Sequence, residues 1–169
     1  MKKWFFLFLS LPLFLISCSK SDANRCTYAD INKTATAAEV TYLQDYMTTH
    51  SIVAIQHASG IFYTIVSAGT GAATATVCST ITLNYEGSLL SNGHVFDFNY
   101  QTSGISFVLG QLIVGWQKGI PLIKNGGAIT LYIPPSLAYG SSDTLDQYGN
   151  VAIPANSYLK FNIHLLDVQ

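Results

Sequence analysis

Hydrophobic positions recur with a helical period near the start of this chain and with a strand period through most of the rest, and the breaks between them mark its elements. Thr36 and Glu39 have the spacing of a capping box, and Val40, Leu43 and Met47 follow at helical intervals. Residues 37 to about 48 are therefore expected to form an amphipathic helix whose apolar stripe needs a partner, the domain that follows. His57-Ala58-Ser59-Gly60 interrupts this period, and residues 61–66 (IFYTIV) are β-formers without helical spacing, which predicts a first strand. Residues 80–86 alternate cleanly, with Ile81, Leu83 and Tyr85 on one face and Thr80, Thr82, Asn84 and Glu86 on the other. Asn92-Gly93, set between Leu89-Leu90 and Val95-Phe96, signals a hairpin turn.

Residues 107–109 read as a short strand leading into LGQLIVGWQKGI, residues 109–120. There Gly110 and Gly115 bracket Leu112-Ile113-Val114, so the chain is expected to turn and enter a short helix near Trp116. Residues 128–133 are again extended and end at Pro134-Pro135, which supply no amide to a ladder. Residues 141–151 are polar and predict an exposed loop. Leu159, Phe161, Ile163 and Leu165 alternate with Lys160, Asn162 and His164 in a last strand with one buried face. The pattern predicts an α+β fold in which a curved antiparallel sheet of five to six strands wraps around one short helix, with an N-terminal helix outside the domain.

Composition adds boundaries. Lys2 and Lys3 precede an apolar run too short to span a membrane comfortably, so residues 1–17 are expected to be a secretory signal. Leu15-Ile16-Ser17-Cys18 resembles a bacterial lipobox, which would make Cys18 the lipidated first residue of the mature chain; the alternative is an ordinary signal peptide with an incidental cysteine. Residues 18–35 are small and polar, as in a tether; residues 36–60 carry the helix and a linker, and residues 61–169 form the domain. Localisation is then extracytoplasmic, anchored by lipid to the bacterial envelope. A net charge of −1 with no basic stripe gives nucleic-acid binding no support.

Cys26 and Cys78 remain as an even pair in an oxidising compartment. A disulfide is the favoured reading over two free thiols, and a metal site is disfavoured because neither cysteine has a second ligand at metal spacing. No GxSxG elbow is present, the histidines (His50, His57, His94, His164) lack zinc-site spacing, and Gly69-Thr70-Gly71 lacks the third glycine of a phosphate loop. The expectation is no metal and no cofactor. Trp116 alone reads as a core residue.

Four segments change that reading. NYEGSLLSNGHVFD (84–97), FVLGQLIVGWQKGI (107–120), LYIPPSLAYG (131–140) and IPANSYLKFNIHLLDV (153–168) resemble, in order and spacing, the successive blocks of the FKBP-type peptidyl-prolyl isomerases. The resemblance implies a sheet wrapped over a short helix with a proline-binding pocket between them. Carried over, Trp116 is the pocket floor, and Tyr85, Phe96, Leu112, Ile113, Ile153 and Phe161 are its walls. The Ile113 amide and the Tyr139 hydroxyl are hydrogen-bond donors to substrate, and Asp97 sits at the edge facing the twisting amide. Such a site needs no nucleophile, so the lack of a triad agrees with it.

The sequence departs from the family's pattern where an arginine often follows the pocket aspartate, here near Thr102, where an aromatic is usual near Ile105-Ser106, and where Ala152 replaces a larger aliphatic. These changes open the rim and imply weaker binding of bulky ligands such as tacrolimus. The expected partners are proline-containing polypeptides, and a monomer is the simplest assembly. The alternative function is non-catalytic binding of proline-containing or unfolded segments by the same fold; a purely structural envelope lipoprotein has only Cys18 in its favour.

Overall fold

The computed structural model describes residues 26–169, and in it the chain passes through α1 (Ala37–Thr49), β1 (Ile55–Gln56), β2 (Phe62–Ser67), β3 (Thr80–Leu89), β4 (Val95–Asn99), β5 (Ile105–Val108), α2 (Val114–Gly119), β6 (Ala128–Ile133), β7 (Thr144–Leu145), β8 (Val151–Ile153) and β9 (Leu159–Val168). The signal segment and Cys18 lie outside the described residues. Single 3-10 turns occupy Leu109–Gln111, Ile120–Leu122 and Pro135–Leu137.

The alternating strand beginning at Thr80 is the axis of the sheet. One edge of β3 pairs with β9 from Ile81 to Leu89, while its other edge is shared. β4 takes residues 85–88 and β5 takes residues 80–83, so two strands divide that one edge between them. The full antiparallel order is β1-β2-β6-β9-β3-β4, with β5 also paired to β3. The fold class read from the sequence holds, but the sheet has seven strands rather than five to six. β1 is two residues long and carries no period to detect, and the shared edge hides one strand in a six-position sheet.

Two further readings change. Residues 141–151, expected as an exposed loop, contain β7 and β8 as a small separate hairpin. Its turn is closed by Asp146, whose Oδ1 accepts from the amides of Tyr148 and Asn150 at 2.8 Å each, a local cap invisible to hydrophobic patterning. Residues 26–35, read as part of a free tether, instead lie tied along the domain. Cys26 and Cys78 are disulfide-bonded with Cα atoms 5.6 Å apart, Gln111 donates to the Tyr28 hydroxyl at 2.6 Å, and Lys118 pairs with Asp30 at 2.6 Å.

The sheet has two unlike faces. Its inner face presents Ile81, Leu83, Leu131, Ile133, Leu159, Phe161, Ile163 and Leu165, each no more than 3% exposed, and α2 packs on it. That approach depends on two glycines four residues apart. A Cβ at Gly115 would stand 2.5 Å from Ile133, and one at Gly119 would stand 2.5 Å from Leu131, so any other residue at either position would lift α2 off β6.

The outer face is covered at one end by α1, whose Leu43 and Met47 pack with Phe62, Leu90 and Tyr132. Burying each of those two helix side chains contributes roughly 1.5–3 kcal/mol. The predicted capping box is present, Glu39 N donating to Thr36 Oγ1 at 3.3 Å and Thr36 N donating to Glu39 Oε2 at 2.8 Å.

Candidate active site

The close seating of α2 on β6 buries Trp116, 5% exposed, between helix and sheet. Two rings meet it edge-on: Tyr85 of β3 at a centroid distance of 5.3 Å and Phe161 of β9 at 5.1 Å, with interplanar angles of 78° and 90°. Such T-shaped contacts set the positive ring edge against the negative ring face and fix all three orientations. A cavity of about 200 Å³ opens above them. Its lining comprises these three rings with Leu112, Ile113 and Phe107, and its mouth carries Asp97 and Tyr139. The buried Trp116 Nε1–H has no partner among the described residues, which leaves an open donor in the floor.

Seven of the nine residues predicted for the pocket are brought together here, and two are not. Phe96 is not in the lining; it packs edge-on against Phe161 at 5.7 Å. Ile153 is 4% exposed and belongs to the hydrophobic core. Gly87 explains the first case, because a Cβ there would stand 2.6 Å from Phe161 and 2.8 Å from Phe96, so its absence lets the two rings meet. The sequence identifies these side chains as apolar and adjacent in blocks but not which layer faces the cavity.

Two residues missed by the sequence reading complete the site. Phe107 of β5 lies opposite Ile81 of β3, and Ile105 lies opposite Leu83, so both share the face of the buried β3 residues. The alternation Ile105/Phe107, set against that of β3, was the available signal. Gln117 is 4% exposed and donates from Nε2 to the Leu112 carbonyl at 2.7 Å. Because a trans peptide holds its C=O and N–H on opposite sides, tying the Leu112 carbonyl to Gln117 turns the Ile113 N–H the other way. That amide precedes α2, where N–H groups have no intrahelical acceptor, and among the described residues it has no partner.

The polar chemistry of the mouth centres on Asp97. Tyr85 donates its hydroxyl to Asp97 Oδ2 at 2.6 Å, so a phenol orients the carboxylate. Asp97 has no cationic partner among the described residues, and Thr102, at the position where the family pattern has arginine, is exposed. Burial, with the hydrogen bond to Asp97 and its charge and the neighbouring Tyr139, pushes the Tyr85 phenol far above its usual range. Tyr139 is raised in the same direction by partial burial and then by the Asp97 charge. Both phenols therefore stay protonated through the neutral range and remain donors. The one carboxylate beside a hydroxyl in the cavity, Asp97, accepts from a Tyr85 phenol that stays protonated, and no thiolate or histidine lines the cavity, so the arrangement suits non-covalent chemistry on a neutral, apolar group.

A wider cleft of about 590 Å³ lies on the outer face of the sheet, lined in part by Glu86, Tyr100, Thr130 and Asn162. These side chains bond to one another. Thr130 donates to Asn162 at 3.0 Å, Asn162 donates to Glu86 at 3.4 Å, and Tyr100 donates to the second oxygen of Glu86. These four side chains thus satisfy one another across β3, β6, β9 and the residue after β4, although Asn84 Oδ1 in the same lining is buried without a partner among the described residues, whereas the Ile113 amide and the Tyr139 hydroxyl of the smaller cavity have none. Among the described residues there is no group of three or more His, Cys, Asp or Glu side chains able to hold a metal ion, and no helix long and apolar enough to cross a membrane.

Comparison with known proteins agrees with this geometry. Residues 71–166 match the family model described as FKBP-type peptidyl-prolyl cis-trans isomerase. The FKBP-type peptidyl-prolyl cis-trans isomerase FkpA of Buchnera aphidicola subsp. Schizaphis graminum is 44% identical over 112 residues, 66% of this chain and 42% of that protein. FkpA of Escherichia coli K12 is 43% identical over 113 residues, 66% of this chain and 38% of that protein. The chain thus matches less than half the length of these curated relatives. Among solved structures, FkpA from Escherichia coli superposes with a TM-score of 0.64 at 36% identity, covering 79% of this chain and 60% of that one. A peptidyl-prolyl cis-trans isomerase from Pseudomonas syringae pv. tomato gives a TM-score of 0.64 at 26% identity, covering 82% and 99%.

Proposed function

The chain belongs to the family of FKBP-type peptidyl-prolyl cis-trans isomerases, and on that premise we propose that it accelerates rotation about X-Pro bonds in polypeptides outside the cytoplasm. The observation that carries this reading is the cavity of about 200 Å³ with a Trp116 floor, edge-on aromatic walls and two convergent donors, the Ile113 amide and the Tyr139 hydroxyl.

The residues suit that reaction. Amide resonance sets a barrier of about 18–20 kcal/mol to rotation, and the twisted transition state has lost that resonance and its charge separation. Seating the prolyl ring on Trp116 removes water from the planar, charge-separated amide and so favours the twisted form. The Ile113 N–H, aimed by Gln117, would hold a substrate carbonyl, and the protonated Tyr139 hydroxyl would hold a second one, keeping the chain in a turn as the bond rotates. Asp97, oriented by Tyr85, faces the rotating group from the rim. No bond forms or breaks in this scheme, which is why a site without nucleophile or cofactor suffices.

Proline-containing segments of unfolded or loosely folded proteins are the substrates this reading implies, because X-Pro isomerisation is a slow folding step. Lys2 and Lys3 ahead of the apolar run, the Leu15-Ile16-Ser17-Cys18 pattern and the Cys26–Cys78 disulfide support an extracytoplasmic, lipid-anchored protein. Activity is tested on proline tetrapeptides with wild type, Asp97→Leu and Trp116→Ala. Catalysis by wild type that falls in both variants is expected, and a wild-type rate equal to the spontaneous one contradicts the enzyme reading in favour of binding alone. The anchor is tested by growth with labelled fatty acid, where Cys18→Ser should lose both label and membrane association; a labelled or membrane-bound Cys18→Ser protein contradicts it.

A further inference from the structure

Tyr139 is the least well anchored of the pocket's polar groups. It is 43% exposed, and among the described residues its hydroxyl has no hydrogen-bond partner, so the direction of that hydroxyl depends on the backbone that carries it. That backbone is the turn after β6. Pro134-Pro135 brings two residues without N–H groups, so Ser136 has the first amide available at the start of the 3-10 turn. The Pro135 carbonyl then accepts from Ala138 at 3.0 Å and from Gly140 at 2.9 Å, enclosing Tyr139 between two tied residues. Gly140 is fastened in turn through its carbonyl to the Asn156 amide at 2.8 Å.

The other end of the turn is held from α1. Glu39 Oε1 accepts from the Ser136 amide at 2.8 Å, and Glu39 Oε2 accepts from the Ser136 hydroxyl at 2.8 Å. These contacts span 97 positions of sequence and join a helix outside the family-matched residues 71–166 to a turn inside them. Glu39 also closes the α1 capping box with Thr36, so one carboxylate caps α1 and the Tyr139 turn together. The helix is itself fixed to the sheet by Leu43, fully buried, and Met47, 6% exposed. A chain of fixed groups therefore runs from the outer face of the sheet through Glu39 and Ser136 to the hydroxyl at the pocket mouth.

We infer that Glu39 is a positioning residue for the isomerisation, setting the Tyr139 hydroxyl through Ser136 and the turn between them. The inference rests on the isomerase reading of the pocket. Glu39 touches no substrate; its effect passes through a donor used as the amide twists, and so it belongs to kcat rather than to KM.

The experiment is a double-mutant cycle on proline-tetrapeptide isomerisation, with each variant's fold checked by thermal unfolding. Glu39→Ala should lower kcat about fivefold with KM unchanged, less than the roughly tenfold expected for losing the Tyr139 hydrogen bond outright in Tyr139→Phe. In the Tyr139→Phe background, Glu39→Ala should cause no further loss. Glu39→Gln, which can accept from the Ser136 amide and donate to its hydroxyl, should recover most of the activity, and Thr36→Ala, which removes one hydrogen bond to Glu39 Oε2 but leaves both Ser136 contacts, should lower kcat less than Glu39→Ala does. If Glu39→Ala does not fold, Ser136→Ala serves in the same cycle with a smaller expected loss. Equal losses in both backgrounds, or no loss in the wild-type background, overturns the inference while leaving the isomerase reading intact. A wild-type rate at the spontaneous value overturns both, and the wild-type arm alone distinguishes the two failures.

Discussion

The floor and the mouth of the pocket are built in opposite ways. The floor is Trp116 held by Tyr85 and Phe161 on a helix that two glycines seat against β6, and every part of it is supplied by residues packed within the sheet-and-helix core. The mouth is Asp97 and Tyr139, partly exposed, held by hydrogen bonds that reach it from Tyr85, Asn156 and a helix on the far side of the sheet. Packing errors at the floor disturb many contacts at once and threaten the fold. Errors at the mouth remove single polar ties and retune the site.

The sharpest test of that contrast is Trp116→Ala. Removing the ring leaves a cavity beneath Tyr85 and Phe161 and ends both aromatic contacts, and the loss should be about 3–5 kcal/mol of stability, together with catalysis reduced to background. Denaturant unfolding and the isomerisation assay read the two losses separately. A variant of wild-type stability would mean the floor is not part of the core.

Next is the clasp outside the floor. Replacing Cys26 and Cys78 by serine should destabilise by roughly 2–4 kcal/mol, since the bridge closes a loop across 52 positions. Catalysis by the folded fraction should change little, because Gln117 and the glycine seating still hold the Ile113 amide and Trp116. A large fall in kcat without unfolding would show that the floor is braced from outside, as the mouth is.

Smaller still in stability is Tyr139→Phe. It should cost about 1.4 kcal/mol of transition-state stabilisation, the tenfold loss of one hydrogen bond, and less than about 0.5 kcal/mol of folding stability at this exposed position. Wild-type and variant melting curves should nearly coincide; a floor-sized loss of stability would erase the distinction between the two regions.

The smallest effect is a pH dependence. Hydrogen bonds from the amides and hydroxyls of Thr36 and Ser136 outweigh burial and hold the Glu39 carboxyl below its ordinary value of 4.5. A carboxyl with a lowered folded pKa contributes stability above the unfolded value, and that contribution is lost as pH falls through the folded one. Wild type should therefore exceed Glu39→Gln in stability at neutral pH, and the gap should close below about pH 4.5 as Glu39 takes up its proton. A gap that persists unchanged into acid would show that the charge does not matter. The carboxylate is only part-buried and solvent still screens it, so the gap should be small.

What was legible in the sequence follows the same division. The alternation from Thr80, the Asn92-Gly93 turn, the strand Ala128–Ile133 and the Gly-bracketed Trp116 are local patterns, and the structure has a strand, a hairpin, a strand and a helix there. The capping box at Thr36 and Glu39 was legible for the same reason. The sharing of one β3 edge by two strands was not, nor was the Asp146-capped hairpin, because neither leaves a hydrophobic period. Within the pocket, apolar block residues were found but not sorted by depth; Phe96 and Ile153 lie away from the lining that Phe107 joins, and Gly87 decides part of that arrangement through the side chain it lacks. The supports of the mouth were least legible of all, since Glu39 and Ser136 are 97 positions apart and each has an unremarkable local role.

The central claim is that a dry aromatic floor with two fixed donors suffices for isomerisation without a nucleophile. The most direct measurement is the cis-to-trans rate of a proline tetrapeptide with wild type, Tyr139→Phe and Trp116→Ala side by side. The account predicts catalysis in that descending order, with Trp116→Ala at the spontaneous rate. A wild-type protein that leaves the rate unchanged, or a folded Trp116→Ala as active as wild type, contradicts it.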